Sequence, residues 1–155
     1  MLPNLLKNNG DKSPSIFALR IAQNKLQGAV WVEQDKLEVV AITSFTSWQG
    51  EDTESLVTET DLLLGQCVES LPEVYEEPKQ VLLGVPSGWM EAGAKIQQKY
   101  REKLKSVCDQ MKLKPFGSVG VSEAVVNFLS KHDGKNESLL VNVDGDVEVS
   151  LVQQG

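Results

Sequence analysis

The sequence is poor in the residues that build metal centres and covalent staples. It has two cysteines, Cys67 and Cys108, and one histidine, His132. Two distant thiols and one imidazole do not complete a structural zinc site. Both cysteines fall among apolar residues at helical spacing, and His132 falls at a helix end. That argues against a Cys–His nucleophile pair and for a reducing, cytoplasmic setting. No apolar run reaches the ~18 residues of a membrane-spanning helix. The opening MLPNLLKNNGDKSPS lacks the apolar stretch of a secretory signal and reads as a flexible lead over residues 1–15. The sequon Asn136-Glu137-Ser138 therefore carries no weight. Cations are also outnumbered: 15 Lys and Arg stand against 22 Asp and Glu, a net charge of −7. Neither nucleic acid nor an anionic membrane attracts such a chain overall.

What is present is material for one core. The chain has 155 residues, of which 41% are hydrophobic, enough for a single ordinary domain or one lobe of a larger protein. Ile16–Ala22, Gly28–Glu33 and Leu37–Phe45 read as strands, with Gln34-Asp35-Lys36 as a tight turn, so they predict an antiparallel meander. The loop SWQGEDTES ends in a helix N-cap. Leu56, Val57, Thr60, Leu63, Leu64, Cys67, Val68 and Leu71 then recur at spacings of three and four, the mark of an amphipathic helix. Gln80–Val85 is a short apolar strand of the kind buried on both faces. A long charged helix is predicted over roughly Glu91–Lys112, with Ile96, Tyr100, Leu104, Val107, Cys108 and Met111 as its apolar stripe.

Pro115–Val121 predicts a further strand, and Ser122 is placed as the cap of a helix that turns Ala124, Val125, Phe128 and Leu129 inward. That helix ends at Asp133-Gly134. Ser138–Val143 and Val147–Val152 alternate around Asp144-Gly145, a hairpin signal. The order βββαβαβα followed by a β-hairpin predicts an α/β fold, a ribonuclease-H-like lobe over residues 16–134. The hairpin at residues 135–155 then stands apart, as the possible start of a second lobe.

Four stretches carry a family resemblance. SPSIFALRIAQNKLQGAVWV resembles a first phosphate-loop hairpin, VLLGVPSGWM a later strand ending in Val-Pro, GSVGVSEAVVNFLS a lobe-linking helix, and SLLVNVDGDVEVSLVQQG a second phosphate hairpin. In that order they resemble the first half of an actin-like ATPase, nearest to the bacterial cell-division protein FtsA and the pilus-assembly protein PilM. The resemblance implies a ribonuclease-H-like fold, protein partners in division or pilus machinery, and a membrane-peripheral role through those partners. Direct membrane insertion is not expected, and oligomers fit the family.

The same resemblance exposes what the phosphate loops lack. Polyphosphate needs small residues, so that backbone N–H groups reach its oxygens, and a carboxylate to hold magnesium. The family's Asp position is here Arg20, its Gly position Ala22, and its hydroxyl positions Gln23 and Asn24; Lys25 follows and could still meet an anion. A guanidinium repels a divalent ion, and Ala22 adds a methyl where phosphate should approach. In the second hairpin the Asp position is Asn142, and the small-residue run is reduced to Asp144-Gly145-Asp146. Glu123 takes the place of the family's acid on the linking helix, where a first-turn acid also suits the helix dipole. The resemblance thus implies no catalytic residue, no metal ligand and no bound cofactor, with ATP and magnesium only if a second lobe completes the cleft. The chain is an excerpt of a longer protein or a reduced form.

Blander readings stand beside these. Asn142, Asp144, Asp146 and Glu148 share one face of a hairpin and could hold calcium, although a solvated Asp-Gly turn explains them as well. Arg20 can serve as a strand-end ion-pair partner. The Lys-rich face from Lys95 to Lys105 can be simply solvated. Trp31, Trp48, Trp89 and Phe45 are candidates for exposed anchors or for packing over the sheet edge. Two enzyme readings compete with a scaffold: an actin-like ATPase completed beyond Gly155, and a ribonuclease-H-like nuclease. The nuclease needs carboxylates for two magnesium ions, and Arg20 stands where the first-strand acid belongs.

Overall fold

The computed structural model describes residues 12–92, 95–132, 137–144 and 146–153. Most of the expected lead, the helix end at Asp133-Gly134 and the turn residue Gly145 lie outside the described residues. Within them, strands β1 (Ser15–Ile21), β2 (Lys25–Glu33) and β3 (Leu37–Ile42) form the expected antiparallel meander. Strand β4 (Thr46–Ser47) returns to pair with the start of β2. Helix α1 (Thr53–Glu69) leads to β5 (Gln80–Val85), which pairs parallel with β1. A 3-10 turn (Ser87–Trp89) and a ribbon of β6 (Met90–Glu91) with β7 (Lys95–Ile96) precede helix α2 (Gln98–Met111). Strand β8 (Lys114–Gly120) pairs parallel with β5 and runs directly into helix α3 (Val121–His132). Strands β9 (Glu137–Asp144) and β10 (Asp146–Gln153) make a separate antiparallel hairpin. The main sheet has the order β3-β2-β1-β5-β8, with β4 added beside β2.

Strict alternation builds the core. Phe17, Leu19 and Ile21 of β1 point to one face of the sheet, with Leu26, Val30 and Val32 of β2 and Val81, Leu83 and Val85 of β5. Leu56, Leu63 and Cys67 of α1 and Leu104, Val107 and Cys108 of α2 close over that face. Each such side chain contributes on the order of 1.5–3 kcal/mol by leaving water. The close approach of α1 depends on Gly28. A Cβ there would stand 2.9 Å from the Phe17 ring and 3.2 Å from Leu63 Cβ. Asp52 starts α1 by accepting hydrogen bonds from the N–H groups of Glu54 (3.1 Å) and Ser55 (3.2 Å).

Among the described residues, the opposite sheet face carries no helix of comparable reach. Trp31 of β2 and Phe116 of β8 meet edge to face at 6.0 Å, bridging across β1 and β5. Leu37, Val39 and Ile42 of the edge strand β3 remain exposed.

Three expectations need correction. Helix α2 starts at Gln98, not Glu91, because Trp89 stacks on Tyr100 (4.2 Å, 3° between planes) and β6 pairs with β7 ahead of it. The Gln97 N–H donates to the Trp89 carbonyl at 2.9 Å, fixing that return. Ser122 is not an N-cap: β8 passes into α3 without a linker, so Ser122 lies buried inside the first turn. Ala124, Val125 and Phe128 are exposed, not inward, because α3 packs on β8, the 3-10 turn and β10 and not along the whole sheet.

Two measurements test this packing. A Cβ on Gly50 would stand 2.3 Å from the Gln23 carbonyl oxygen, whereas one on Gly65, inside α1, meets nothing within 4 Å. Gly50→Ala is expected to destabilise by about 1–3 kcal/mol and Gly65→Ala to stabilise by about 0.5–1 kcal/mol, read by urea unfolding. Burial raises the pKa of both thiols, with Asp109 adding to the effect at Cys108, so less thiolate is present at any given pH. Native protein at pH 8 should react with a thiol reagent more than about tenfold slower than free cysteine, and unfolded protein at the free rate.

Candidate functional site

The sheet topology gathers the sequence-predicted residues at the carboxyl ends of its parallel strands, where open α/β sheets place ligands. Strand β1 ends at Ile21, and Ala22-Gln23-Asn24-Lys25 turns the chain into β2. The turn is tight: the Ala22 N–H donates to the Lys25 carbonyl at 2.9 Å. Gln23 and Asn24 are exposed at its tip, and Lys25 is exposed where β2 begins, paired with Ser47.

A second segment locks this turn from outside. The Trp48 indole Nε1–H donates to the Ala22 carbonyl at 2.9 Å, and the Trp48 backbone N–H donates to the Asn24 carbonyl at 3.1 Å. Gly50 lies against the Gln23 carbonyl. The Thr46 hydroxyl donates to the Glu59 carboxylate at 2.7 Å, tying the same segment to α1. Trp48 is 5% exposed, with its ring 6.3 Å from Trp89, which is 7% exposed and stacks on Tyr100. These two tryptophans are thus packing groups and not surface anchors. Trp31 is half-buried, and Phe45 is exposed on one side.

Arg20 sits one residue before the end of β1, half-buried, on the face that α1 and α2 leave open. It pairs with Gln27 across the hairpin and with Gly84 of β5. Its guanidinium carbon lies 5.3 Å from the centre of the Phe45 ring, a cation–π distance. Gly84 leaves room for the start of α3: a Cβ there would meet Val121 Cγ2 at 3.3 Å and the Arg20 Cα at 3.8 Å. Arg20 and the first turn of α3 are therefore neighbours. Glu123, exposed in that turn, places its Oε2 3.9 Å from where a Cβ of Gly120 would be.

The second hairpin is a sheet of its own, joined to the lobe through α3 packing on β10. Its register sets Asn142 opposite Glu148 and Asp144 opposite Asp146. Gly145 lies outside the described residues. Among the described residues, no three of His, Cys, Asp and Glu converge as metal ligands. The residues at the end of β1 do not fit a magnesium–phosphate group. A cation occupies the strand where a carboxylate would be needed, and the turn's Ala22 N–H is already donated to the Lys25 carbonyl.

Sequence reasoning found Arg20 and the turn but missed β4, Trp48 and Gly50 as the clamp on it. Trp48 in a loop-like stretch, two residues before Gly50, was the available signal. A large ring beside a glycine often marks a close backbone approach, but only the tertiary structure names the carbonyl it reaches.

No helix among the described residues is long and apolar enough to cross a membrane. No protein-family model matches the sequence, and no curated protein is significantly similar to it. Solved structures do resemble the fold. The ethanolamine utilization protein EutJ from Carboxydothermus hydrogenoformans is 14% identical with a TM-score of 0.56, over 92% of this chain and 53% of that one. The type II variant of the Aquifex aeolicus Ppx/GppA phosphatase is 12% identical with a TM-score of 0.51, over 88% of this chain and 51% of that one. The chain spans about half the length of these structures. Identities this low speak for the fold alone. On that ground, the element order, the β3-β2-β1-β5-β8 sheet and the solved neighbours agree: this chain has the ribonuclease-H-like lobe of the actin-like ATPase fold.

Proposed function

We propose that this chain is a protein-binding scaffold lobe of the FtsA/PilM kind, without ATP hydrolysis of its own. One observation carries the reading: Arg20 holds a permanent positive charge at the end of β1, in a hairpin whose Ala22 N–H is committed to the Lys25 carbonyl. A phosphate loop works by offering unoccupied N–H groups and a metal-binding carboxylate. This turn offers neither at Arg20 or Ala22. Like charges repel at short range, so Arg20 opposes magnesium where the fold would otherwise bring it.

With phosphate chemistry set aside, the remaining surfaces are contact surfaces. The partners are proteins of a division or pilus-assembly machine at the cytoplasmic side of a membrane, reached without insertion. The acidic net charge of −7 supports protein partners over nucleic acid.

Isothermal titration with ATP and magnesium tests the reading. The expected result is a dissociation constant weaker than about 1 mM, corresponding to less than about 4 kcal/mol of binding free energy. Micromolar affinity, or phosphate release above the buffer rate, overturns it.

A further inference from the structure

Strand β3 is an edge that the fold leaves unguarded. Among the described residues no strand pairs with its outer side. Its sequence Leu-Glu-Val-Val-Ala-Ile holds no proline and no lysine, the residues with which proteins commonly blunt such edges. A bulge sets what the edge shows. Val30 pairs with Ala41 and Trp31 with Val39, so Val40 is the extra residue. The slip puts Val39 and Ile42 on one face, the open face of the sheet, and Leu37 joins them there. Leu37, Val39 and Ile42 are 69%, 61% and 65% exposed. The backbone is turned outward too. The Thr43 N–H donates to the Gly28 carbonyl at 2.9 Å. The next pair, Ile42 with Ala29, is therefore a non-hydrogen-bonded one, and Ile42 directs its own N–H and carbonyl away from β2.

The helix side of the same edge is acidic. Glu38 is exposed opposite Val32, whose side chain lies on the helix-covered face. The hydrogen bond from Thr46 of β4 to Glu59 shows which flank of α1 overlooks this end of the sheet. At helical spacing Leu62 and Gln66 follow on that flank, and Leu62 is exposed. Residues 37–78, which carry β3, β4 and α1, contain ten acidic residues and no lysine or arginine. The edge thus offers apolar side chains on one face, negative charge on the other and backbone groups between them.

We propose that β3 takes on an extended segment of a partner protein as one more strand, and that this segment alternates apolar with basic residues. Side chains of an added strand point to the two faces in turn. Its apolar residues meet Leu37, Val39 and Ile42, and its lysines or arginines meet Glu38 and the acidic surroundings of α1. Main-chain hydrogen bonds supply affinity, and the alternation supplies specificity. Charge decides against a second copy as the occupant, because two copies of β3 would bring two acidic surroundings together. The inference rests on the scaffold reading for the occupant being a protein, and deepens it by naming that protein's chemistry.

Fluorescence anisotropy of a labelled peptide of about eight residues, alternating valine and lysine, tests it on the whole chain. The peptide should bind. A peptide of the same composition with valines and lysines in separate blocks, and one N-methylated at alternate amides, should each bind more than about tenfold more weakly. Val39→Lys should lower affinity to the same degree with an unchanged melting temperature. Ile42→Pro should do so too, since it removes an N–H that points away from β2 and edge strands accept proline; if that variant does not fold, Val39→Lys decides. Absence of binding by the alternating peptide overturns the inference. So does equal binding of the blocked or N-methylated peptide, which would leave charge alone as the attraction. A wild type that sediments as a dimer, and a V39K variant that does not, assigns the edge to a second copy and also overturns it. The ATP titration reads the end of β1 and the peptide titration reads β3, so each reading fails by itself.

Discussion

The candidate site depends on one clamp. Trp48 reaches from the segment between β4 and α1 to the turn after β1 and ties up two of its carbonyls, while Gly50 closes on a third. The indole is buried against Trp89 and, through it, the Tyr100 of α2. The turn is thereby joined to both helices that cover the sheet. A buried donor that lost its carbonyl would cost about 1–3 kcal/mol, so this geometry holds the turn closed.

Electrostatics acts on the same place from the other side. Arg20 sits on β1 at the carboxyl edge of the sheet, against Phe45 and next to the first turn of α3. In this fold that edge is where a ligand would lie. A guanidinium there favours an anionic or π partner and opposes a divalent ion. Clamp and cation are independent features of the same end of β1.

Much of the lobe was legible in the sequence for a simple reason. Period-two alternation in IFALRI and in LQGAVWV has few alternatives once one face must be dry, and the recurrence from Leu56 to Cys67 has one helical solution. The errors fall where local pattern and tertiary contact compete. Tyr100 continues a helical stripe back to Ile96, yet with Trp89 stacked on Tyr100 the strands Met90–Glu91 and Lys95–Ile96 pair as a ribbon. Ser122 has the chemistry of a cap, but the chain passes from β8 to α3 with no residue to spare, and burial replaces capping. Val125 and Phe128 look like a core stripe, and α3 leaves them at the surface.

The sequence by itself determined the element types, the three-strand meander and the burial of Cys67 and Cys108, because each follows from residue chemistry or short-range spacing. The tertiary structure alone decided which groups meet: Trp48 with Ala22, Arg20 with Phe45 and Gly84, Trp31 with Phe116 across two strands. Those pairings join residues separated by up to 85 positions, as with Trp31 and Phe116. They are set by sheet order and the packing of rings, which no local period encodes.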